Sequence, residues 1–206
     1  MIESFKTIQV RARSEIKVRN SRFIATVLPV ASKEEAQSEL ETIRRELWDA
    51  THHCYSWRLA PSGLEYRFSD DGEPSGSAGK PILFVLQQRE IVNVLLVVTR
   101  YYGGTKLGVG GLVRAYTDSA TEVLAGVEVV TVHPTDSVQV FTPYEDMRAV
   151  RGLVEEYAIR FEEEFRDAVS YTLTLRSDQV EEFSARLTDM SQGRAGMIRS
   201  DRALSQ

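Results

Sequence analysis

A glycine-rich segment flanked by basic residues is the part of the sequence best suited to chemistry. Residues 103–111 hold five of the 13 glycines and lie between a strongly apolar run and a predicted helix. Glycines let backbone N–H groups converge on an anion, and the start of a helix adds partial positive charge. The pattern indicates a phosphate or oxyanion site, with close packing of the helix on the strand as the alternative. The predicted anion-binding residues here are Arg100, Tyr101, Tyr102, Gly103, Gly104, Lys106 and Arg114.

A second glycine-rich segment, residues 70–80, comes close to known phosphate-binding patterns without matching them. A P-loop would need glycine at the position of Pro74 and serine or threonine at that of Pro81. Ser77 and Lys80 have the Ser-x-x-Lys spacing of serine acyltransferases, but the partner motifs are absent from the sequence. We therefore expect Ser77 to cap a helix and Lys80 to be solvated.

Two other groups of residues contain metal-ligand types, and neither offers enough ligands. On a strand, His52 and Cys54 share one face while His53 lies on the other, and zinc would need further ligands. Three carboxylates in the second glycine-rich segment are more typical of a hydrated turn than of a hard-cation site. Those carboxylates belong to Asp70, Asp71 and Glu73. We predict no metal and no cofactor.

The elements that must position these residues form an α+β segment. Ser32 followed by Glu35 predicts a helix N-terminus, and Ala36, Leu40 and Ile43 have the spacing of its core stripe. Residues 92–99 are almost continuously apolar, which predicts a strand buried on both faces. The other predictions are a hairpin over 16–30, strands over 53–59 and 64–68 joined through 61–63, and helices over 78–88 and 109–125.

The last third of the chain has the clearer pattern. Apolar residues recur at spacings of three, four and three in two stretches, which predicts two helices among four strands in the order βαββαβ. The stripes are Met147, Val150, Val154 and Tyr157, then Val180, Phe183, Leu187 and Met190. We predict a ferredoxin-like sandwich here. A composition change near 131–135 divides the chain into domains 1–133 and 134–206.

Composition excludes several classes of protein. The formal net charge is -5; residues 1–133 hold 16 basic and 16 acidic groups, whereas 134–206 hold 9 and 14, so a phosphate backbone would meet the first domain. The longest apolar run, 91–99, is far shorter than the roughly 20 residues of a membrane span. A single cysteine and no secretory pattern at the start place the expected location in the cytoplasm.

Three ordered motifs resemble the signature blocks of the IMPACT/YigZ family. They are HCYSWR at 53–58, DDGEPSGSAGKP at 70–81 and TRYYGGTKLGVGGLVRAY at 99–116. The resemblance implies a first domain like the fourth domain of elongation factor G and a second like its fifth domain, both of which contact the ribosome. It therefore implies binding to RNA or to the translation machinery, and it transfers no catalytic residue.

The leading hypothesis is a non-enzymatic protein of the translation or RNA apparatus. Tyr101 or Tyr102 would stack on bases, and the second domain would dock a protein partner, because its acidic run 162–164 repels phosphate. The predicted phosphate contacts are Arg58, Lys80, Arg100, Lys106 and Arg114.

Two other functions fit the same residues. A hydrolase or transferase would use the glycine-rich segments as a cradle, with His53, Asp71 or Lys80 as acid or base. A protein-interaction module would pair the basic residues of the first domain with its equally numerous acids.

Overall fold

The computed structural model describes residues 4–59 and 63–199. The chain separates into two compact units, one spanning residues 5–132 and one that contains residues 133–199. Each unit combines helices with an antiparallel sheet, so the architecture is α+β with two domains. The predicted join through Pro61 and Ser62 lies outside the described residues.

The first unit is built on a five-stranded antiparallel sheet with strand order β2-β3-β6-β4-β5, beside a separate β1–β7 pair. The strand β6 is central and buried on both faces, which confirms the prediction from its apolar run. The bounds are β1 Phe5–Ile8, β2 Ala12–Val18, β3 Ser21–Pro29, α1 Lys33–Glu46, β4 His52–Leu59, β5 Glu65–Ser69, α2 Gly79–Gln88, β6 Val94–Tyr101, α3 Gly108–Ala125 and β7 Val129–Val132.

Helices cover both faces of this sheet. From β6, Leu96 and Val98 pack with residues of α2 and α3, while Leu95 and Val97 pack with α1. The α1 helix begins as predicted, because Ser32 Oγ accepts a hydrogen bond from Glu35 N–H. With a helix layer on each side, both faces of β6 are buried, which explains the apolar run from Val94 to Val98; the buried polar residues of the strand, Thr99 and Arg100, lie at its end.

One end of the five-stranded sheet gathers the glycine-rich segments. The register pairs Arg22 with Tyr101 and His52 with Arg100, so β3 and β4 begin where β6 ends. Strand β5 runs toward the same end and stops at Ser69, opposite Tyr55, and α2 and α3 follow the segments that come after β5 and β6. We call this region the loop end; it comprises residues 19–20, 47–51, 70–78 and 102–107.

The second unit has the predicted element order, βαββαβ. Its antiparallel sheet has strand order β11-β8-β10-β9, and residues of both helices pack in one core with one face of the sheet. On the other face, Ser170, Thr172 and Thr174 of β10 are partly or fully exposed. The bounds are β8 Thr135–Thr142, α4 Met147–Tyr157, β9 Arg160–Phe165, β10 Val169–Arg176, α5 Val180–Ser191 and β11 Gly196–Arg199.

Two details differ from the sequence-based predictions. Strands β1 and β7 are not predicted, because four residues carry too little alternation to indicate a strand. Met190 is 40% exposed rather than part of the core stripe of α5, which Ser191 completes instead. The end of α5 agrees with the sequence, in which Gln192 and Gly193 predict it: Gln192 follows the last helical residue and takes a left-handed conformation with φ 52°.

Candidate functional site

The loop end is built over a buried ion pair. Arg100 Nη1 donates to Glu73 Oε1 at 2.6 Å, and the two side chains are only 6% and 4% exposed. Tyr116 Oη, on α3, donates to the same oxygen at 2.7 Å. This contact set joins the 70–78 segment, the end of β6 and α3. The surface phosphate contact predicted for Arg100 is therefore corrected: its guanidinium is enclosed and already paired. Glu73 is a core residue rather than part of a hydrated turn.

The single cysteine belongs to the same buried cluster. Cys54 Sγ lies 3.0 Å from the carbonyl oxygen of Asp70 and 3.3 Å from Tyr116 Oη. Burial raises the pKa of the Cys54 thiol and also the pKa of the Tyr116 hydroxyl. Both groups therefore stay protonated near neutral pH, and neither is activated as a nucleophile or a base.

Asp70 occupies the start of α2. Its carboxylate accepts hydrogen bonds from the N–H groups of Gly76, Ala78 and Gly79 at 2.8–3.0 Å. The cap predicted for Ser77 is wrong, because Ser77 Oγ donates instead to the carbonyl of Pro74 at 2.6 Å. An internal anion thus satisfies the amides that a bound phosphate would use, which excludes the α2 N-terminus as an anion site.

We expect Asp70→Ala to lower the free energy of unfolding by about 2 kcal/mol, because three N–H groups lose their acceptor at a helix N-terminus. Urea denaturation followed by tryptophan fluorescence measures this change. The matched control is Asp118→Ala, an exposed carboxylate on α3, for which we expect a change within about 0.5 kcal/mol. Equal effects of the two substitutions would contradict the capping role.

The histidines and Asp71 serve structural contacts. Asp71 Oδ2 accepts from the backbone N–H of His53 at 2.6 Å, and Asp71 Oδ1 accepts from Arg44. The His53 ring lies 3.1 Å from Thr99 Oγ1, and burial lowers the pKa of His53. In the part of the chain that the structure describes, no three His, Cys, Asp or Glu side chains are placed to hold a metal ion. His53 and Asp71, two of the three alternative acids or bases of the enzyme hypothesis, are thus engaged in structural contacts.

The glycine-rich segment at 103–111 is closed at its start. Gly103 N–H donates to Ser21 Oγ at 3.2 Å, and Tyr102 N–H donates to Thr51 Oγ1 at 3.1 Å. A Cβ atom on Gly103 would lie 1.8 Å from the carbonyl oxygen of Asn20, so the hairpin turn packs directly on the glycine backbone. The close-packing interpretation therefore holds at Gly103, and its amide is unavailable to a ligand.

Beyond Gly103 the segment opens. Gly104 and Gly108 have φ of +81° and +73°, in the left-handed region that favours glycine. A Cβ at Gly104, Gly108 or Gly110 would meet nothing within 4 Å. The α3 helix begins without a side-chain cap and without an acidic residue in its first turn, so its first N–H groups have no internal acceptor from either source. The open part of the segment has room for a ligand next to main-chain donors.

Three exposed cations come from this end of the first unit: Lys106 within the segment, Arg114 in α3 and Lys80 near the start of α2. Lys106, Arg114 and Lys80 are all exposed, and none forms an ion pair with a carboxylate among residues 4–59 and 63–199. Tyr102 is 45% exposed, with the Arg100 guanidinium carbon 5.3 Å from the centre of its ring. We call Lys80, Tyr102, Lys106 and Arg114 the basic rim.

Two other predicted contacts lie elsewhere or are already engaged. Arg58 pairs with Val94 at the opposite end of the sheet and donates to the carbonyls of Leu86 and Ile91, so its assignment to the phosphate site is corrected. Tyr101 Oη donates to Asp49 Oδ1 at 2.8 Å, and the Arg22 guanidinium lies 5.2 Å from its ring centre. The hydroxyl and the ring of Tyr101 are therefore both engaged in contacts within the first unit.

Sequence reasoning missed one cation at the loop end. Arg19, in the β2–β3 turn, donates from Nη1 to the carbonyl of Lys106 at 3.1 Å. Its φ of 51° is unusual for a residue other than glycine. The turn signal at Asn20 and Ser21 located the hairpin, but nothing in the sequence shows that this turn meets a segment 87 residues later.

Comparison with known proteins identifies the two units separately. The Impact N-terminal domain model matches residues 19–124, within the first unit. The Domain of unknown function DUF1949 matches residues 140–194, within the second unit. The chain belongs to the IMPACT family. This confirms the resemblance carried by the three sequence motifs.

Relatives in the IMPACT family cover nearly the whole chain. The IMPACT family member YvyE of Bacillus subtilis is 32% identical over 196 residues, covering 95% of this chain and 90% of the relative. The IMPACT family member YigZ of Escherichia coli is 34% identical over 180 residues, covering 86% and 88%. The crystal structure of a hypothetical protein is similar with a TM-score of 0.68 and 31% identity, covering 98% of this chain and all of that one.

Among the helices that the structure describes, none combines the length and apolar character required to cross a bilayer.

Proposed function

We propose that this IMPACT family chain is a non-enzymatic binding protein of the translation or RNA apparatus, and that the basic rim contacts nucleic-acid phosphates. The observation that carries the proposal is the opening between Gly104 and Gly110, where a helix starts without a side-chain cap and where Lys106 and Arg114 are exposed and have no carboxylate partner among the residues that the structure describes. Phosphate oxygens accept hydrogen bonds from backbone N–H groups and from Lys or Arg side chains, and the opening supplies both donor types.

The charge distribution supports RNA over an acidic small molecule. The basic rim is open to solvent and has Tyr102 within it, and phosphate contacts combined with an exposed aromatic ring are typical of single-stranded nucleic-acid binding. Membership of the IMPACT family suggests a role related to translation. The likeness to the fourth domain of elongation factor G remains part of the proposal and implies a ribosomal partner.

The second unit has a different role in this proposal. We infer a ferredoxin-like sandwich from its βαββαβ order, its strand order β11-β8-β10-β9 and the packing of both helices on one sheet face. Its other face presents Phe141 and Ile198, 38% and 58% exposed, on adjacent strands. Glu162 and Glu164 on edge strand β9 make this face unsuited to phosphate, so a protein partner fits it better.

The enzyme alternative has no supporting observation. Catalysis by a nucleophile needs a base within hydrogen-bond reach of it. Cys54 contacts a tyrosine hydroxyl and a carbonyl rather than a base, and Ser77 Oγ is used by the carbonyl of Pro74. The site supports binding rather than turnover.

We expect the Lys106→Ala plus Arg114→Ala variant to bind single-stranded RNA more weakly, with a flatter salt dependence. Each lost phosphate contact reduces the slope of log affinity against log salt by about 0.7 for a single strand, so the double variant should lose about 1.4. Fluorescence anisotropy with a labelled oligonucleotide across a salt series measures both quantities.

The control for this measurement removes the same charge elsewhere in the first unit. Lys33→Ala plus Arg67→Ala changes two exposed cations, one at the start of α1 and one within β5, away from the loop end. This variant should keep the native slope. Equal slopes for all three proteins, or no binding by the native chain at low salt, would exclude the proposed phosphate contacts.

A further inference from the structure

An exposed tryptophan, Trp48, lies at the loop end. Trp48 follows α1 and is 81% exposed, whereas the other tryptophan, Trp57, is 8% exposed within β4. A tryptophan side chain is large and mostly apolar, so it is usually highly buried in a folded chain. Trp48 is exposed in the turn at 47–51, which is bonded to Tyr102 of the basic rim, and it belongs to none of the sequence motifs.

The turn that carries Trp48 is firmly held. Ala50 N–H donates to the carbonyl of Leu47, and Thr51 N–H donates to the carbonyl of Arg100 at 2.9 Å. The neighbouring Asp49 accepts from Tyr101 Oη at 2.8 Å, and Thr51 Oγ1 accepts from Tyr102 N–H. These bonds fix the backbone on both sides of Trp48. The indole is thus presented to solvent by an ordered turn whose bonds reach the same two tyrosines that begin the glycine-rich segment.

Part of the negative charge near Trp48 is balanced within the first unit. Glu46 is paired with Arg11 and Arg13, whereas Asp49 accepts a hydrogen bond from the uncharged hydroxyl of Tyr101. On the β2–β3 turn and the 103–111 segment, Arg19 and Lys106 have no carboxylate partner among the residues the structure describes. Exposed cations and an exposed aromatic ring at the same loop end suit a base attached to a phosphate backbone.

We propose that Trp48 and Tyr102 stack on unpaired bases, so that the ligand of the loop end is single-stranded RNA. This inference rests on the proposed function and adds the class of ligand to it. The hydrogen bond from Tyr102 N–H to Thr51 Oγ1 ties the backbone of Tyr102 to the turn that carries Trp48, so both exposed rings belong to the loop end. A duplex keeps its bases stacked on one another and cannot use these two rings.

Tryptophan fluorescence tests the proposal directly, because the chain has two tryptophans and only Trp48 is exposed. A single-stranded oligouridylate should quench the emission and protect it from acrylamide, and a duplex RNA of equal length should not. Trp48→Ala should abolish this quenching and weaken binding roughly 5- to 150-fold, the effect of losing one stacked base. Trp48→Phe should recover most of the affinity, and Trp57 remains as a reporter of folding in both variants.

The salt series separates this proposal from the function on which it rests. Trp48→Ala should leave the slope of log affinity against log salt unchanged, since no phosphate contact is lost. If the native chain binds RNA with a normal slope while Trp48→Ala binds equally well and the emission is not quenched, stacking is wrong and the phosphate function stands. If no RNA binds, both are overturned. If Trp48→Ala impairs only association with a purified ribosomal protein, the exposed indole is a protein contact and stacking is also overturned.

Discussion

Replacing Arg100 with methionine should lower the free energy of unfolding of the first unit by about 3–5 kcal/mol, the usual cost of removing one partner of a buried ion pair. The Glu73 carboxylate would remain buried, and it would keep the hydrogen bond from the Tyr116 hydroxyl while losing its cation. Both tryptophans lie in this unit, so fluorescence during urea denaturation reports on its unfolding separately from that of the second unit.

Two comparisons make the result for Arg100 interpretable. Lys6→Met breaks an exposed pair with Glu90 and should cost at most about 1 kcal/mol. Arg100→Met combined with Glu73→Gln also removes the buried carboxylate that has lost its cation. The double variant should therefore recover much of the lost free energy of unfolding. A cost below about 1 kcal/mol for Arg100→Met alone would show that the pair is not a determinant of the fold.

The same ion pair explains how the loop end keeps its shape. Glu73 comes from the glycine-rich segment at 70–80, Arg100 from the end of β6 and Tyr116 from α3, and the last two both donate to one carboxylate oxygen of Glu73. We therefore expect Arg100→Met to weaken RNA binding as well, although its guanidinium touches no ligand. The effect would act through the position of the basic rim rather than through a lost phosphate contact.

The fold could be predicted from the sequence wherever one face of an element is apolar over several turns or residues. The stripe of Ala36, Leu40 and Ile43 located α1, and the apolar run of β6 located the central strand. Short strands such as β1 and β7 could not be found, because their pairing is decided by contacts between residues more than a hundred positions apart. The local spacing of apolar residues does not show which distant segment a short strand will pair with.

The candidate site could be predicted only in outline. The glycine-rich segment was identified from its composition, but composition could not distinguish closed Gly103 from open Gly104, since the difference is the approach of Asn20. Arg100 was placed on the surface because a charged residue usually lies there, and it is buried because Glu73 supplies a partner. Trp48 was missed because a tryptophan is ordinarily taken as a core residue.

A methyl group at Gly103 should be strongly destabilising. The added Cβ would lie 1.8 Å from the carbonyl oxygen and 2.0 Å from the carbonyl carbon of Asn20, both backbone atoms that no side-chain rotation can move. Overpacking typically costs about 1–3 kcal/mol, and we expect Gly103→Ala to reach the upper end because the β2–β3 turn itself must shift. Urea denaturation followed by tryptophan fluorescence measures the loss.

The matched substitution in the same segment should have the opposite sign. Gly110 lies in the first turn of α3, has no positive φ, and a Cβ there meets nothing within 4 Å, so Gly110→Ala should stabilise the unit by about 0.5–1 kcal/mol. If the open backbone receives a phosphate, Gly110→Ala should nevertheless weaken RNA binding, because its methyl group enters the space that the ligand uses. Opposite effects on stability from two alanines seven residues apart would separate the packed part of the segment from its binding part, whereas equal destabilisation would mean that the whole segment serves packing alone.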